Sequence, residues 1–178
     1  EGPAGPAGYQ LAPFVVRDSS NVSIINSEFR HLQHGIAFLG TRGSTLIGNY
    51  FHDLRTDGIR GGANSDMTIR FNFFTDFHPQ EHDHPDGVQM WTTGTTESSR
   101  QIVISDNVIV RQVGGAPTQG IFLGEEKKTI PYVSVEIARN LVIGAMFNGI
   151  AIAHAESSSV IDNEVVSLPG QRSWIGTI

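Results

Sequence analysis

The segment Leu46-Ile47-Gly48-Asn49-Tyr50-Phe51, followed after six intervening residues by Gly58-Ile59, shows the pattern that decides the fold. An apolar residue, two variable residues, Asn, one variable residue and a second apolar residue recur along the chain. Each copy precedes a loop and a Gly-Ile pair or its equivalent. The asparagines of these copies are Asn49, Asn72, Asn107, Asn140 and Asn163, and Ser27 occupies the same position one copy earlier. Uninterrupted copies are 22 or 23 residues apart, which indicates a repeat architecture.

Apolar residues on both sides of each asparagine predict short strands, because successive side chains of a strand point to opposite faces. The unit is too short for two packed helices, whereas alternation fits strands joined by turns. We expect inward side chains three residues before each asparagine and two residues after it, namely Ile24, Leu46, Ile69, Ile104, Ile137 and Val160, and Phe29, Phe51, Phe74, Ile109, Val142 and Val165. A further strand is expected to begin at Gly35-Ile36, Gly58-Ile59, Gly87-Val88, Gly120-Ile121 and Gly149-Ile150, with end copies at Pro13-Phe14 and Trp174-Ile175.

This repeat resembles the right-handed parallel β-helix of the pectate-lyase-like superfamily, in which each coil has three short strands and stacked asparagines form a ladder at one bend. The resemblance implies an all-β solenoid of about six coils. Residues 11–178 would form one domain, as a segment of a longer chain, and residues 1–10 a linker or trimmed end. A buried asparagine suits such a bend because its amide group both donates and accepts. A leucine-rich repeat, the competing solenoid, would need a Leu-x-x-Leu-x-Leu spacing that is missing.

Composition restricts the classes of partner. The 178 residues are 39% hydrophobic and 17% charged, as expected for one domain with an apolar core. A net charge of −6 argues against non-specific binding to nucleic acid. The chain has no cysteine for disulfides or thiolate metal sites, and no apolar run long enough to cross a membrane. The first residues have neither the charge nor the apolar core expected of a signal peptide, but the resemblance implies a secreted, periplasmic or cell-surface protein.

The two central copies contain insertions. Asn72 to Gly87 spans fifteen residues and Asn107 to Gly120 thirteen, where plain copies need nine. The extra residues are the segment 78–86 and the surroundings of 114–117, and the loops 92–98 and 124–131 after the next strand are also long. Because these loops lie directly before and after the same strand, we expect them to form the walls of a groove on its outer face. The groove resembles the substrate cleft of polysaccharide lyases and epimerases.

Alternation also predicts the floor of this groove. The outward rows are Val15, Ala37, Arg60, Gln89, Phe122 and Ala151, then Leu39, Gly62, Trp91, Gly124 and Ala153, with His34, Asp57, Asp86, Gln119 and Asn148 leading into the strands. Polar and aromatic residues are concentrated in the central copies. Trp91 and Phe122 provide flat surfaces on which a sugar ring can stack. The predicted substrate-binding residues are Gln89, Trp91, Phe122, Gln119 and Lys127.

Asp57 and Asp86 stand at equivalent positions in adjacent copies, roughly 4.8 Å apart if the strands are neighbours. Two carboxylates at that distance repel each other unless a cation or a shared proton intervenes. One solution is Ca²⁺, which prefers oxygen ligands and would add Asp83 or Glu81. Another is an acid/base or nucleophile pair of the glycosidase type. A third is that each aspartate caps a turn.

Arg60 and the histidines of the first insertion complete the candidate chemistry. Arg60 would neutralise the carboxylate of a uronic acid, or pair with Asp57 or Asp86. His82 and His84 are candidate general bases because imidazole titrates near neutral pH. Together with Asp83 and Asp86, the same two histidines would also suit Zn²⁺. A further alternative is that both histidines are only solvated. A structural role is favoured for the four histidines in plain copies, His31, His34, His52 and His154.

Three resemblances within the superfamily concern mechanism. Mannuronan C5-epimerases and related lyases carry Asp-Pro-His in the groove, and the same residue types stand here in the order His84-Pro85-Asp86. Polygalacturonase-type hydrolases carry Asn-Thr-Asp-Gly, whose tail resembles Thr56-Asp57-Gly58, but their other motifs are absent. Pectate lyases use an arginine base with Ca²⁺ on aspartates, and Arg60 beside Asp57 and Asp86 is similar in kind.

These resemblances imply a lyase or C5-epimerase that acts on an acidic polysaccharide by removing the C5 proton. In that hypothesis His84 or His82 is the base, and Arg60, with or without Ca²⁺ on Asp57 and Asp86, neutralises the carboxylate. Two alternatives stay open: a glycoside hydrolase using the same groove, and a non-catalytic glycan-binding or structural module such as an adhesin or tailspike shaft. Strand-like ends without capping helices would favour end-to-end self-association.

Overall fold

The computed structural model describes residues 8–10, 14–124, 127, 129–169 and 175–177. Most of the predicted linker, and the predicted end-copy residues Pro13 and Trp174, lie outside the described residues. Gly8–Gln10 forms a 3-10 turn in which Tyr9 stacks on His78 with ring centroids 5.5 Å apart. The described residues contain no helix that is both long and apolar enough to span a membrane.

The chain folds as an all-β solenoid of short parallel strands, as predicted. Its strands are β1 (Phe14–Arg17), β2 (Ser23–Ile25), β3 (Glu28–Phe29), β4 (Ile36–Leu39), β5 (Thr45–Ile47), β6 (Tyr50–Phe51), β7 (Ile59–Gly62), β8 (Ser65–Arg70), β9 (Phe73–Phe74), β10 (Asp86–Trp91), β11 (Arg100–Ser105), β12 (Val108–Val110), β13 (Gln119–Gly124), β14 (Tyr132–Ala138), β15 (Leu141–Ile143), β16 (Ile150–Ile152), β17 (Ala155–Glu156), β18 (Ser159–Ile161), β19 (Glu164–Val166) and β20 (Ile175–Thr177).

Each coil contributes one strand to each of three parallel sheets. Sheet A has the order β1-β4-β7-β10-β13-β16-β20, sheet B the order β2-β5-β8-β11-β14-β17 with β18 also on β14, and sheet C the order β3-β6-β9-β12-β15-β19. Six full coils result, which confirms the predicted number. The strands that follow the predicted Gly-Ile positions all belong to sheet A, so the insertions flank one sheet.

The predicted inward side chains form the core. The central members of both rows, from Leu46 to Ile137 and from Phe51 to Val142, are buried, while those in the end coils are partly exposed. Phe51 stacks between Phe29 and Phe74, with ring centroids 4.9 Å apart on each side. This stack explains the glycines at the start of the sheet A strands, since a β-carbon at Gly58 would lie 2.5 Å from the ring of Phe74.

The asparagine ladder is present at the bend between sheets B and C. The Nδ2 groups of Asn49, Asn72, Asn107 and Asn140 each donate to Oδ1 of the next asparagine over 2.9–3.0 Å. The same Nδ2 groups donate to backbone carbonyls of the preceding coil, as Asn107 does to Ile69. The coils that contain these four asparagines thereby satisfy the side-chain amides at this tight bend without water.

A second polar stack, which the sequence pattern does not reveal, lies at the bend between sheets A and B. Oδ1 of Asn64 accepts hydrogen bonds from the backbone and hydroxyl of Thr41, and its Nδ2 donates to the carbonyl of Phe38. Ser99 continues the stack by accepting from the backbone of Asn64. The three residue types differ, and an insertion separates the last two, so no repeated letter marks this bend.

Candidate functional site

Five predicted groove residues converge on the outer face of sheet A. A cavity of about 260 Å³ is lined by His84, Gln89, Met90, Trp91, Thr93, Phe122 and Gly124. Strands β10 and β13 bring Gln89 opposite Phe122, and His84 reaches the cavity from the insertion before β10. The insertion therefore flanks a cavity on the strand face where the groove was predicted.

Two glycines leave room for the aromatic rings of this cavity. A β-carbon at Gly62 would lie 2.8 Å from Nε1 of Trp91, and one at Gly124 would lie 2.6 Å from the ring of Phe122. Gly62, Trp91 and Gly124 occupy one row of sheet A. The small residues in this row therefore let both rings lie close against the sheet, which produces the flat apolar surface on which sugar rings stack.

Arg60 is held between a carboxylate and an aromatic ring. Its Nη1 lies 3.1 Å from Oδ2 of Asp57, and its Cζ lies 5.1 Å from the centroid of the Trp91 ring. The side chain stays 31% exposed. Two contacts thus fix the guanidinium at the surface of the groove, where its remaining N–H groups can bind an anionic ligand.

Asp57 and Asp86 lie beneath this surface, with exposed fractions of only 2% and 0%. Burial raises the pKa of Asp57 to about 6, although the charge of Arg60 opposes the rise. Burial also raises the pKa of Asp86 well above its usual value, and the charge of Asp57 raises it further. Among the described residues, neither oxygen of Asp86 has a hydrogen-bond partner. The favoured state therefore has Asp57 ionised against Arg60 and Asp86 protonated.

His34 lies in the same row as the buried aspartates. It precedes β4 at the position that Asp57 and Asp86 occupy in the next two coils, and the adjacent Gly35 donates its N–H to the carbonyl of Asp57. Burial and the charge of Arg60 lower the pKa of His34 to about 4. A neutral imidazole therefore stands beside Arg60 on the N-terminal side. Its position in the row of Asp57 and Asp86 indicates the groove. The absence of an insertion in its own coil favoured a structural role instead.

The other residues of the first insertion do not join the site. Asp83 forms a two-point ion pair with Arg55, with Nε–Oδ2 and Nη2–Oδ1 distances of 2.7 and 3.0 Å, and also accepts from the backbone of Gln80. This pair anchors the loop that carries His84. Glu81 and His82 are about 90% exposed and do not line the cavity. Lys127 is exposed on the other long loop.

The predicted metal ligands are not assembled as a group. Asp83 is bound to Arg55 and does not accompany Asp57 and Asp86. Across the described ranges, no three His, Asp or Glu side chains are grouped so as to hold a metal ion. Gln119, predicted to bind substrate, pairs in register with Asp86 and accepts a hydrogen bond from Nδ2 of Asn148. Of the predicted calcium ligands, only Asp57 and Asp86 lie together, and Arg60 already places a positive charge beside Asp57.

A second histidine cluster lies outside the bend that follows sheet C. Nδ1 of His52 lies 2.7 Å from Oδ2 of Asp53, and its Nε2 lies 2.9 Å from Oε1 of Glu28. Nε2 of His78 lies 2.9 Å from Oδ1 of the same Asp53. Burial raises the pKa of Asp53, but the hydrogen bonds from both histidines outweigh it and hold that pKa below its usual value. The chain of contacts crosses three coils, which agrees with the structural role predicted for His52.

Comparisons with known proteins support the fold. A family model described as "Right handed beta helix region" matches residues 13–165. Curated proteins give no match. The crystal structure of Dettilon tailspike protein aligns with a TM-score of 0.54 at 16% identity, over 73% of this chain and 28% of that chain. PfbA, a surface adhesin of Streptococcus pneumoniae, aligns with a TM-score of 0.48 at 18% identity, over 86% of this chain and 46% of that one. The chain thus spans less than half the length of either structure.

Proposed function

Because the chain belongs to the family of right-handed β-helix regions, we propose that its sheet A groove binds an acidic polysaccharide and removes the C5 proton of a uronic acid unit. The observation that carries this proposal is the position of Arg60, which contacts Asp57 and packs on Trp91, one of the residues that line the cavity with His84. A cation for the carboxylate, a base and a stacking surface thus occur on one face. These are the three components that the reaction needs.

Arg60 has the role of neutralising the sugar carboxylate. Removing the C5 proton places negative charge on that carboxylate, so a fixed guanidinium stabilises the transition state more than the ground state. The Asp57 contact holds the guanidinium in position before substrate arrives. A protonated Asp86 carries no negative charge. It therefore does not compete with the substrate carboxylate for the positive charge of Arg60.

Two imidazoles provide the proton transfers. His84 lines the cavity from the loop, and His34 stands beside Arg60 one coil before Asp57. In elimination one neutral imidazole takes the C5 proton, the C5–H electrons form the C4–C5 double bond, the C4–O4 bond breaks, and O4 takes its proton from the other imidazole in its imidazolium form or from water. In epimerisation the second group instead returns a proton to the opposite face of C5. Both reactions balance without a redox partner.

The buried carboxylates disfavour the hydrolase alternative. A glycosidase needs two carboxyl groups that touch the scissile bond or its attacking water. Asp57 and Asp86 are covered, and Asp57 is bonded to both Arg60 and the backbone of Asp86. Their burial favours a supporting role beneath the groove.

A non-catalytic glycan-binding module is the second candidate, and one observation favours it. The half-buried groups of the cavity floor, namely Gln89, Trp91 and Phe122, are those of a sugar-binding surface, whereas Asp57 and Asp86 are buried. Binding needs Arg60 and the aromatic rings but no proton transfer. The two candidates therefore share a ligand and differ in whether a product forms.

Incubation with polymannuronate, polyguluronate and polygalacturonate in D₂O tests the proposal. Elimination gives an unsaturated product that absorbs in the ultraviolet, and C5 exchange gives deuterium incorporation that NMR detects. Arg60→Gln is expected to reduce either signal by about 10²-fold or more. Arg30→Gln is the matched control, because Arg30 pairs with Glu28 in the first coil, distant in register from the groove. Glycan binding without product or exchange would establish the second candidate, and loss of both would overturn the proposal.

A further inference from the structure

A second, larger cleft opens on the N-terminal side of Trp91. It encloses about 690 Å³, and Trp91 and Gly62 line it together with Arg17, Arg42 and Glu97. Because Trp91 also lines the smaller cavity that contains His84, the two spaces share one aromatic wall. The cleft therefore adjoins the cavity of the proposed reaction centre at Trp91 and extends from there toward the first coils.

The loop 92–98 forms a preformed wall of this cleft. Thr95 donates to the carbonyl of Thr92 through both its backbone N–H, at 3.0 Å, and its hydroxyl, at 2.7 Å. The hydroxyl of Thr92 in turn donates to the carbonyl of Ile130 over 2.8 Å, which ties this loop to the one that follows β13. A wall held by these bonds costs little ordering entropy when a ligand binds.

The polar groups of the cleft suit the hydroxyls of a sugar chain. Within the described part of the chain, Arg17 forms no ion pair, whereas Arg42 is paired with Asp66 at 3.0 Å. Asp18 and Glu97 also line the cleft, so it contains both cationic donors and anionic acceptors. The cleft therefore has no excess of positive or negative side chains. Its charged groups can form strong hydrogen bonds with the hydroxyl groups of a sugar.

Register fixes the length and direction of the cleft. Arg17, Leu39, Gly62 and Trp91 stand opposite one another in adjacent strands of sheet A. Three strand spacings separate Arg17 from Trp91, or about 14 Å along the solenoid axis. On the C-terminal side, by contrast, the corresponding outward residues Ala151 and Ala153 are small, apolar and buried. In the row of Trp91, the C-terminal coils therefore offer less accessible surface than Arg17 and Leu39 offer in the first coils.

We propose that the glycan extends from Trp91 toward the N-terminal coils, and that the cleft under loop 92–98 holds about three further sugar units between Trp91 and Arg17. This inference rests on the proposed glycan specificity of the sheet A groove, but it needs no proton transfer. It assigns the chain an oligosaccharide ligand of defined direction, with most of the binding surface on one side of the reaction centre.

Calorimetric titration with uronate oligomers of two and six units tests the inference. Wild type is expected to bind the hexamer at least tenfold more tightly than the dimer. Thr96→Trp on the exposed loop fills the cleft, and Arg17→Ala removes its far contact. Both are expected to lower the hexamer affinity toward that of the dimer and to leave dimer binding unchanged. Ser159→Trp, on the exposed strand β18, is the matched control for a bulky surface substitution.

The outcomes separate this inference from the proposed function. Equal affinity of wild type for both lengths, or an unchanged hexamer affinity in both cleft variants, overturns the cleft while leaving dimer binding at Arg60 intact. Absence of binding at any length overturns the glycan specificity itself. Loss of hexamer binding in Ser159→Trp would attribute the effect to general perturbation, and would count against the cleft.

Discussion

The backbone N–H of Asp86 donates a 3.1 Å hydrogen bond to Oδ1 of Asp57, so two carboxyl groups from adjacent coils are fixed in one buried row. Arg60 binds the other oxygen of Asp57. Asp57 therefore has two partners, whereas the carboxyl group of Asp86 has none among the described residues. This inequality makes Asp57 the anion that positions Arg60, and makes Asp86 the group that holds a proton.

Asp86→Asn should change how stability depends on pH. A carboxyl group whose pKa is raised by folding stabilises the protein below its unfolded pKa, and that stability is lost as pH rises through the folded pKa. Raising the pKa of Asp57 from 3.8 to about 6 corresponds to about 3 kcal/mol. The variant lacks the carboxyl group of Asp86. It also removes a neighbouring carboxyl group from beside Asp57. We therefore expect its free energy of unfolding to fall less between about pH 4 and about pH 7, by about 1–3 kcal/mol.

Urea denaturation at both pH values measures this difference. Asp106→Asn is a suitable control, because the hydrogen bond from Arg139 lowers the pKa of Asp106 to about 2, which gives the opposite sign of pH dependence. A steeper decline in Asp86→Asn than in wild type would show that Asp86 is ionised and stabilising in the folded protein.

Asn107→Ala tests the ladder. Asn107 makes two donor bonds through Nδ2 and accepts two through Oδ1, from the backbone and side chain of Asn72. Alanine leaves those partners buried and unsatisfied, and should cost about 3–5 kcal/mol. Asn163→Ala removes the last rung, where the side chain is only partly buried, and should cost less than half as much. Chemical denaturation of both variants gives the comparison, and equal losses would contradict a contribution from burial.

The sequence predicted the core and the ladder because each depends on one residue type repeated at one spacing. The second stack, Thr41, Asn64 and Ser99, uses three residue types across an insertion, so no period reveals it. The row of the candidate site was predicted as well, since strand alternation determines it. Burial of Asp57 and Asp86 was not, because it depends on how loops cover the row. The Arg55–Asp83 pair, which anchors the His84 loop, was missed for the same reason.

Calcium dependence is predicted to be absent from glycan binding. Arg60 already supplies the cation beside Asp57, and Asp83, the third predicted ligand, is bound to Arg55. We expect less than a twofold change in affinity for an acidic oligomer when excess EDTA replaces Ca²⁺, as measured by titration calorimetry. A tenfold or larger loss that Ca²⁺ restores would instead assign Asp57 and Asp86 as calcium ligands.

Gly62→Ala should impair the groove through Trp91. The added β-carbon would lie 2.8 Å from both Nε1 and the backbone oxygen of Trp91, so the ring and its strand must shift. Because Arg60 packs on that ring, both contacts with the sugar would move. We expect glycan affinity to fall about tenfold or more. Ala37→Gly, a change of the same size in the adjacent row, is the control, and unchanged affinity in Gly62→Ala would exclude ring stacking at Trp91.

His34→Gln should remove a pH dependence opposite in sign to that of the aspartates. A histidine whose pKa is lowered by folding stabilises the protein above its unfolded value near 6.5, and that stability is lost as pH falls through the folded value of about 4. Wild type should therefore lose stability over this range through His34, and the variant should not. His154→Gln is the matched control, since Nδ1 of His154 is likewise buried without a partner among the described residues. If His34 transfers protons, His34→Gln should also lower deuterium exchange at C5 by about 10²-fold, with dimer binding retained. Exchange at the wild-type rate would leave His84 as the sole base of the groove.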